Sequence, residues 1–235
     1  MIPGMATETQ LKVPECVGII MDGNRRWARK RGLPGYLGHS QGKEKLKEFI
    51  SFAKKAGVKY IIAFAFSTEN WKRPEEEVSY LLGILLKIFR DDREDFIREQ
   101  IRVRYAGDIS TFPQELQSEM RRLEEDTKHF EGLVLTLCLS YGGRSELLHA
   151  MNSCLAEGVG EVTEQEISKR LYTAGMPDPD MIIRTSGEMR LSGFLPWQTA
   201  YSELFFTNTL WPDFSEKEFL GMVQEYSSRE RRMGK

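Results

Sequence analysis

Two kinds of hydrophobic spacing alternate along the chain. Short, continuously apolar runs rich in β-branched residues occur at CVGIIM (16–21), YIIAFAF (60–66), IRVRYA (101–106), LVLTLCLSY (133–141), MIIRT (181–185) and ELFFT (203–207). Longer stretches with helical period lie between most of them. In SQGKEKLKEFISFAKKAG (40–57), Leu46, Phe49, Ile50 and Ala53 share one face and Gly57 supplies the end cap. EEEVSYLLGILLKIFRDDREDFIRE (75–99) reads as one longer helix with a stripe of Val78, Leu81, Leu82, Leu85, Leu86 and Phe89. Strands without polar alternation need cover on both faces. The pattern therefore predicts a single α/β domain over 1–235, its central, mainly parallel sheet of about six strands flanked by helices. Residues 1–14 read as an N-terminal extension and 229–235 as a tail. No internal repeat, low-complexity tract or Pro/Gly linker interrupts the pattern.

Composition changes this picture mainly by exclusion. Thirty-three Lys and Arg nearly balance thirty-five Asp and Glu, at a pI of about 6.1. A general affinity for nucleic acid calls for a strongly basic domain, so it is not expected. Cys16, Cys138 and Cys154 lack CxxC spacing and read as reduced core residues of a cytoplasmic protein. His39, His129 and His149 are scattered, which argues against a histidine-based metal site. MIPGMATETQLK has no apolar core, and no apolar run approaches the roughly 18 residues of a membrane span; neither a signal peptide nor a span is expected.

Candidate chemistry gathers at strand ends, where open α/β sheets place their ligands. VGIIMDGNRRWARKRG (17–32) passes from strand through a tight Asp22–Asn24 turn into a helix start carrying Arg25, Arg26, Arg29, Lys30 and Arg31. Amides and arginines there suit phosphate. A lone carboxylate would repel phosphate unless a divalent cation such as Mg²⁺ lies between them. The alternative makes Asp22 a turn or cap residue and the cations a solvated face. AFSTENWKRPEEEV (65–78) puts Ser67, Glu69, Asn70, Trp71 and Arg73 at a second strand end, ahead of acids suited to a helix N-terminus. The third, DPDMIIRTSGEMRLSGFL (178–195), offers Arg184, Arg190 and Ser192 as a second phosphate clamp. Each could be mere capping; three strand ends with Arg beside Asp, Ser or Asn are more than capping requires. GHSQGKE (38–44) is too short for a Walker A loop and no GxGxxG occurs, so nucleotide folds of those types lose support.

MDGNRRWA, the GH pair at 38–39, FSTENWKRP, RTSGEMRLSGFL and AYSELFF followed by LWPDF resemble the cis-prenyltransferases, the family of undecaprenyl diphosphate synthase, over residues 15 to 234. The resemblance implies a homodimer that condenses isopentenyl diphosphate with an allylic prenyl diphosphate in the presence of Mg²⁺, forming a cis double bond. It makes Asp22 the catalytic carboxylate linked to Mg²⁺ and diphosphate. Gly23, Asn24, Arg25 and Arg26 would form the allylic diphosphate loop, with Trp27, Arg31 and His39 beside it. Ser67, Thr68, Glu69, Asn70, Trp71 and Arg73 match the second motif, which orders the substrates and is implicated in proton removal. Arg184, Arg190, Leu191 and Ser192 match the isopentenyl diphosphate clamp, and Glu203 a second metal-linked carboxylate. In RERRMGK (229–235), Arg232 and Gly234 match an Arg-x-Gly motif that reaches across the dimer.

That chemistry accounts for the residue types. The allylic C–O bond breaks toward a carbocation, and preorganised positive groups stabilise the departing diphosphate. Asn70, a poor base, is expected to orient water or a phosphate oxygen. Ala65, the apolar face of 77–90 and LVLTLCL are candidates for the wall of an apolar tunnel, with ordinary core packing as the alternative. Gly35 stands where many members carry an arginine to the allylic diphosphate, Arg25 where bacterial members commonly have glycine, and Pro196 where leucine is usual. Gly35→Arg is accordingly expected to tighten allylic binding if the cation is missed. These departures leave product length and coupling regiochemistry open. Rival readings are a non-catalytic partner subunit and a nucleic-acid module using residues 25–31. Membrane contact is expected only peripherally, through the lipid product.

Overall fold

The computed structural model describes residues 11–229. The six apolar runs are the six strands: β1 Cys16–Ile20, β2 Tyr60–Ser67, β3 Arg102–Ala106, β4 Val134–Tyr141, β5 Met181–Arg184 and β6 Glu203–Phe206. They form one sheet in the order β3-β4-β2-β1-β5-β6, every neighbouring pair parallel. The expected mainly parallel sheet is thus entirely parallel. The helices are α1 Asn24–Arg29, α2 Gly38–Ala56, α3 Glu75–Arg90, α4 Arg93–Arg98, α5 Gln114–Thr127, α6 Gly143–Ala156, α7 Glu164–Ser168 and α8 Glu216–Ser228. All eight residues of β4 are buried, as a central strand covered on both faces requires.

Side chains alternate between two apolar layers. Val17 and Ile19 join the larger core under α2, α3, α5 and α8, while Cys16 and Ile20 join a smaller cluster with Phe194 and Leu195. The expected face of α2 is observed: Leu46, Phe49, Ile50 and Ala53 are buried, and Gly57 ends the helix at φ 100°. Of residues 1–14, the described part lies against α8, where the Lys12 amide donates to Ser227 Oγ.

The expected single helix over 75–99 is instead α3 and α4, broken at Asp91 and Asp92. Both amides turn back to the Lys87 carbonyl, at 2.8 and 3.1 Å. The cause is a buried carboxylate: Asp92 receives Lys43 Nζ and Lys47 Nζ from α2, each at 2.7 Å. The buried stripe of α3 is correspondingly Leu81, Leu85, Ile88 and Phe89; Val78, Leu82 and Leu86 are half-buried.

The strand order sets the site. From β1 the chain first moves to β2 on one side, and β5 later lies on the other. The carboxyl ends of β1 and β5 therefore flank a crevice at a topological switch point. Ile20 pairs in register with Arg184, so residue 22 and the loop after β5 meet there.

Candidate active site at the carboxyl ends of the strands

Asp22 is fixed before it is charged. Its backbone carbonyl accepts from Thr185 Oγ1 at 2.7 Å and from the Trp211 amide at 3.0 Å. Its Oδ1 accepts the Gly23 amide at 2.7 Å, and Oδ2 accepts Arg184 Nη2 at 3.0 Å and Arg26 Nη2 at 3.4 Å. Gly23 turns the chain at φ 107°, and a Cβ there would lie 2.9 Å from Ser186 Cβ. Asn24 donates to the Met21 carbonyl, while its buried Oδ1 has no partner among the described residues. The GH motif is explained by close approach: a Cβ on Gly38 would lie 2.0 Å from the Asn24 carbonyl oxygen.

Cations surround this turn. A pocket of about 330 Å³ is lined by Asp22, Gly23, Asn24, Arg25, Arg26, Arg29, His39 and Arg73. Glu77, buried at the start of α3, orders much of it. Arg73 donates to Glu77 Oε1 at 2.9 Å, Arg25 reaches Oε2 at 3.5 Å, and His39 Nε2 lies 3.8 Å from Oε1. Burial, followed by Arg73, pushes the His39 pKa down to about 4 against the opposing pull of Glu77. At neutral pH its imidazole is uncharged.

A second cavity of about 340 Å³ continues inward from the same turn. Polar groups ring its mouth: Asp22, Asn24, His39, Ser67, Asn70, Arg73, Arg184 and Ser192. Its interior is lined by Leu46, Phe64, Ala65, Phe66, Leu81, Ile84, Leu85, Ile88, Leu137 and Trp211, with Lys43 the one ammonium among them. Of the segments expected to wall a tunnel, Ala65, four α3 residues and Leu137 of β4 line this cavity. Along α3, Glu77 to Ile88 spans about 16 Å.

The second motif is built as a cap. Ser67 and Asn70 form a reciprocal box, the Ser67 amide donating to Asn70 Oδ1 at 3.1 Å. With Oδ1 so engaged, Asn70 presents its amide N–H₂ as the free polar group. Thr68 backs onto Gly142. Glu69 is exposed and lines neither cavity. Trp71 donates to Ser140 Oγ at 3.0 Å and packs on Phe66 and Phe112, so it anchors the loop rather than lining the site.

In the third motif Arg184 is 5 % exposed; Nη1 donates to Ser192 Oγ at 2.8 Å and to the Arg190 carbonyl. Its Nε is buried without a partner among the described residues. Arg190 is exposed and pairs with Glu188. Leu191 packs against the smaller apolar cluster, away from both cavities.

Three expected site groups are placed elsewhere. Trp27 donates to Asp213 Oδ1 at 2.7 Å, and Arg31 stacks on Trp27 while reaching the same carboxylate, so both tie α1 to the 211–213 turn. Glu203 does not join Asp22 within the chain. It pairs in register with Met181, three residues before Arg184 and about 10 Å down the sheet, where it binds Arg229. Arg232 and Gly234 lie outside the described residues. Among the groups that sequence reasoning passed over, Glu77 carried one usable signal, its i,i+4 spacing from Arg73; Lys43 and Glu188 carried none.

The model of the family described as "Putative undecaprenyl diphosphate synthase" matches residues 20–234. The chain is 46% identical to an isoprenyl transferase of Fusobacterium nucleatum, over 94% of this chain and 96% of the relative. It is likewise 46% identical to an isoprenyl transferase of Thermotoga maritima, over 95% and 98%. Its fold is similar to lavandulyl diphosphate synthase from Lavandula x intermedia, solved with dimethylallyl diphosphate, at TM-score 0.89 and 33% identity over 95% of this chain and 99% of that one. A probable undecaprenyl diphosphate synthase from Campylobacter jejuni aligns at TM-score 0.81 and 31% identity, over 95% and 100%.

Proposed function

The chain belongs to the undecaprenyl diphosphate synthase family of cis-prenyltransferases, and from that membership we propose that it condenses isopentenyl diphosphate with an allylic prenyl diphosphate, with Mg²⁺, to give a cis-prenyl diphosphate. One observation carries this reading: a pocket of arginines adjoins an apolar cavity, the two sharing Asp22, Asn24, His39 and Arg73 in their walls. That is the shape of a ligand with a diphosphate head and a hydrocarbon tail.

In this reading the allylic head lies among Arg25, Arg26, Arg29, Arg73 and the Gly23 and Asn24 amides, with its chain in the cavity. Isopentenyl diphosphate is held by Arg184, Arg190 and Ser192. The allylic C–O bond breaks with its electron pair leaving on diphosphate, and the alkene electrons of the isopentenyl group bond its terminal carbon to the allylic carbon. A phosphate oxygen takes the proton from C2, next to the tertiary carbon left cationic, to form the new double bond. Preorganised guanidiniums stabilise the charge gathering on the leaving group. Asn70 serves as a donor that orients a phosphate oxygen, because its own oxygen is held by Ser67. Holding both reacting carbons at one mouth supplies the proximity that the bond-forming step requires.

The donor set suits Mg²⁺ of one kind. Among the described residues no group of three or more His, Cys, Asp or Glu could cage an ion. Asp22 offers one carboxylate facing the cavity mouth, which fits an ion that arrives with substrate phosphates. The chemistry supplied by Mg²⁺ when bound is neutralisation of diphosphate charge.

We further propose a cytoplasmic homodimer that touches membranes only through its lipid product, with Arg232 and Gly234 completing the partner's isopentenyl site. Among the described residues no helix is long and apolar enough to cross a membrane. The test is incubation of labelled isopentenyl diphosphate with five-, ten-, fifteen- and twenty-carbon allylic diphosphates, with and without Mg²⁺. Chain-extended cis products that require Mg²⁺ are expected. No turnover with any primer would identify a non-catalytic partner subunit. Products from dimethylallyl diphosphate alone would indicate a different coupling.

A further inference from the structure

We propose that Glu188 is an internal anion that competes with isopentenyl diphosphate for Arg190 and so sets the affinity for that substrate. The inference rests on the reading of the loop after β5 as the isopentenyl diphosphate site.

The position of Glu188 is imposed by its loop. Ser186 and Gly187 both take positive φ, at 78° and 84°. Their amides donate to the Thr209 and Thr207 carbonyls at 2.8 and 2.7 Å. A Cβ on Gly187 would meet Asn208 Oδ1 at 2.8 Å, so the backbone is pressed against the segment after β6. Glu188 leaves this fixed turn toward α1. One carboxylate oxygen lies 3.6 Å from Arg26 Nη1 and the other pairs with Arg190 Nη1.

Those two cations come from different motifs, and each has been assigned to a different substrate. A carboxylate with one oxygen on each of two guanidiniums uses the donors that a phosphate would use. Arg26 keeps other acceptors: the Ser186 carbonyl, the Ser186 hydroxyl and Asp22. Glu188 is therefore not needed to satisfy it. Arg190 is 61% exposed and has Glu188 as its ion-pair partner. A phosphate entering the clamp must take Arg190 from Glu188, while Arg26 stays held by Ser186. The competing carboxylate is itself about one-third exposed and can turn out to water, so displacement is cheap enough to permit binding yet lowers affinity measurably.

The test is Glu188→Gln, a substitution at a partly exposed side chain that leaves shape unchanged. Steady-state kinetics should show the KM for isopentenyl diphosphate falling by about threefold to fivefold. The kcat and the allylic KM should stay as in the parent. Calorimetric titration with inorganic pyrophosphate should show the same tightening, and it needs no turnover. Glu188→Asp, which keeps the charge, should retain at least part of the competition. In an Arg190→Ala background the Glu188→Gln effect should shrink toward unity, as a cycle on a direct pair requires. A raised or unchanged KM, or unchanged pyrophosphate affinity, overturns the proposal and would make Glu188 a support for Arg190 or a bystander. An inactive parent enzyme would overturn the functional reading instead, and pyrophosphate binding would still decide the role of Glu188.

Discussion

Arg25 and Gly35 explain each other. Taken singly, the glycine at 35 is a lost cation and the arginine at 25 an unexplained gain. In the fold the two positions face each other: a Cβ on Gly35 would lie 3.5 Å from Arg25 Nε and 3.4 Å from Arg29 Nε. The space that a longer residue at 35 would fill is used by two arginine side chains. Gly35→Arg alone should therefore not tighten allylic binding as sequence reasoning expects, since it adds a third guanidinium against two. Arg25→Gly is expected to raise the allylic KM about tenfold, the weight of one charge-assisted hydrogen bond. Arg25→Gly with Gly35→Arg should recover most of that loss. A double variant no better than Arg25→Gly would mean the two sites are not interchangeable. His39 makes a separate prediction through its proton. Its pKa falls from 6.5 to about 4 on folding, chiefly through burial, so the unfolded chain binds the extra proton first. Stability linked to His39 is thus complete above pH 6.5 and is lost as pH falls toward 4, by about 3 kcal/mol. Urea unfolding at stepped pH should show this loss in the parent protein and not in His39→Gln.

At the scale of elements, what was legible in the sequence depended on how local its cause was. All six strands were readable because each is a continuous apolar run, and that run is itself the reason the strand is buried. The face and cap of α2 were readable from period and Gly57. The break between α3 and α4 was not, because Asp92 ends the helix through Lys43 and Lys47, about 45 residues away in sequence. Trp27 and Trp71 show a related effect. They lie inside the chemical motifs, but each spends its indole N–H on a distant partner, Asp213 or Ser140. A motif says which residues recur together and not which of them face the ligand. The Asp92 junction has a measurable consequence. Removing one partner of a buried ion pair leaves the other charges uncompensated, which costs about 3–5 kcal/mol. Asp92→Ala should lower unfolding free energy by that order, with Lys43, in the wall of the apolar cavity, left only the more distant and exposed Glu44 at 3.6 Å. Asp92→Asn should cost less. A loss below about 1 kcal/mol in Asp92→Ala, by urea denaturation, would show that water compensates the lysines.

The whole molecule adds what neither residues nor elements contain. Strand order was invisible in the sequence: β3 lies outside β4, and β5 returns beside β1. Only that return brings Arg184 to Asp22 and turns separate strand ends into one site. The same view exposes a surface without cover. On α6, Leu148, Met151 and Leu155 are 60%, 45% and 74% exposed, and their i, i+3, i+7 spacing puts them on one face. Leu204 on the edge strand β6 is also exposed, at 38%. A contiguous apolar helix face of this kind usually meets a partner. A second copy of the chain is the occupant that the proposed homodimer supplies. Leu148→Glu with Leu155→Glu should therefore halve the mass seen by light scattering and leave the helical circular dichroism of the subunit in place. If the tail of one chain completes the site of the other, that monomer should also lose activity toward isopentenyl diphosphate. Deleting residues 232–235 from the unaltered protein should cut kcat/KM by about two orders of magnitude, roughly 2.7 kcal/mol, without changing the mass. The pair of variants separates the two roles. A charged-face variant that remains a dimer would remove α6 from the interface, and a fully active monomer would show that each chain carries a complete site.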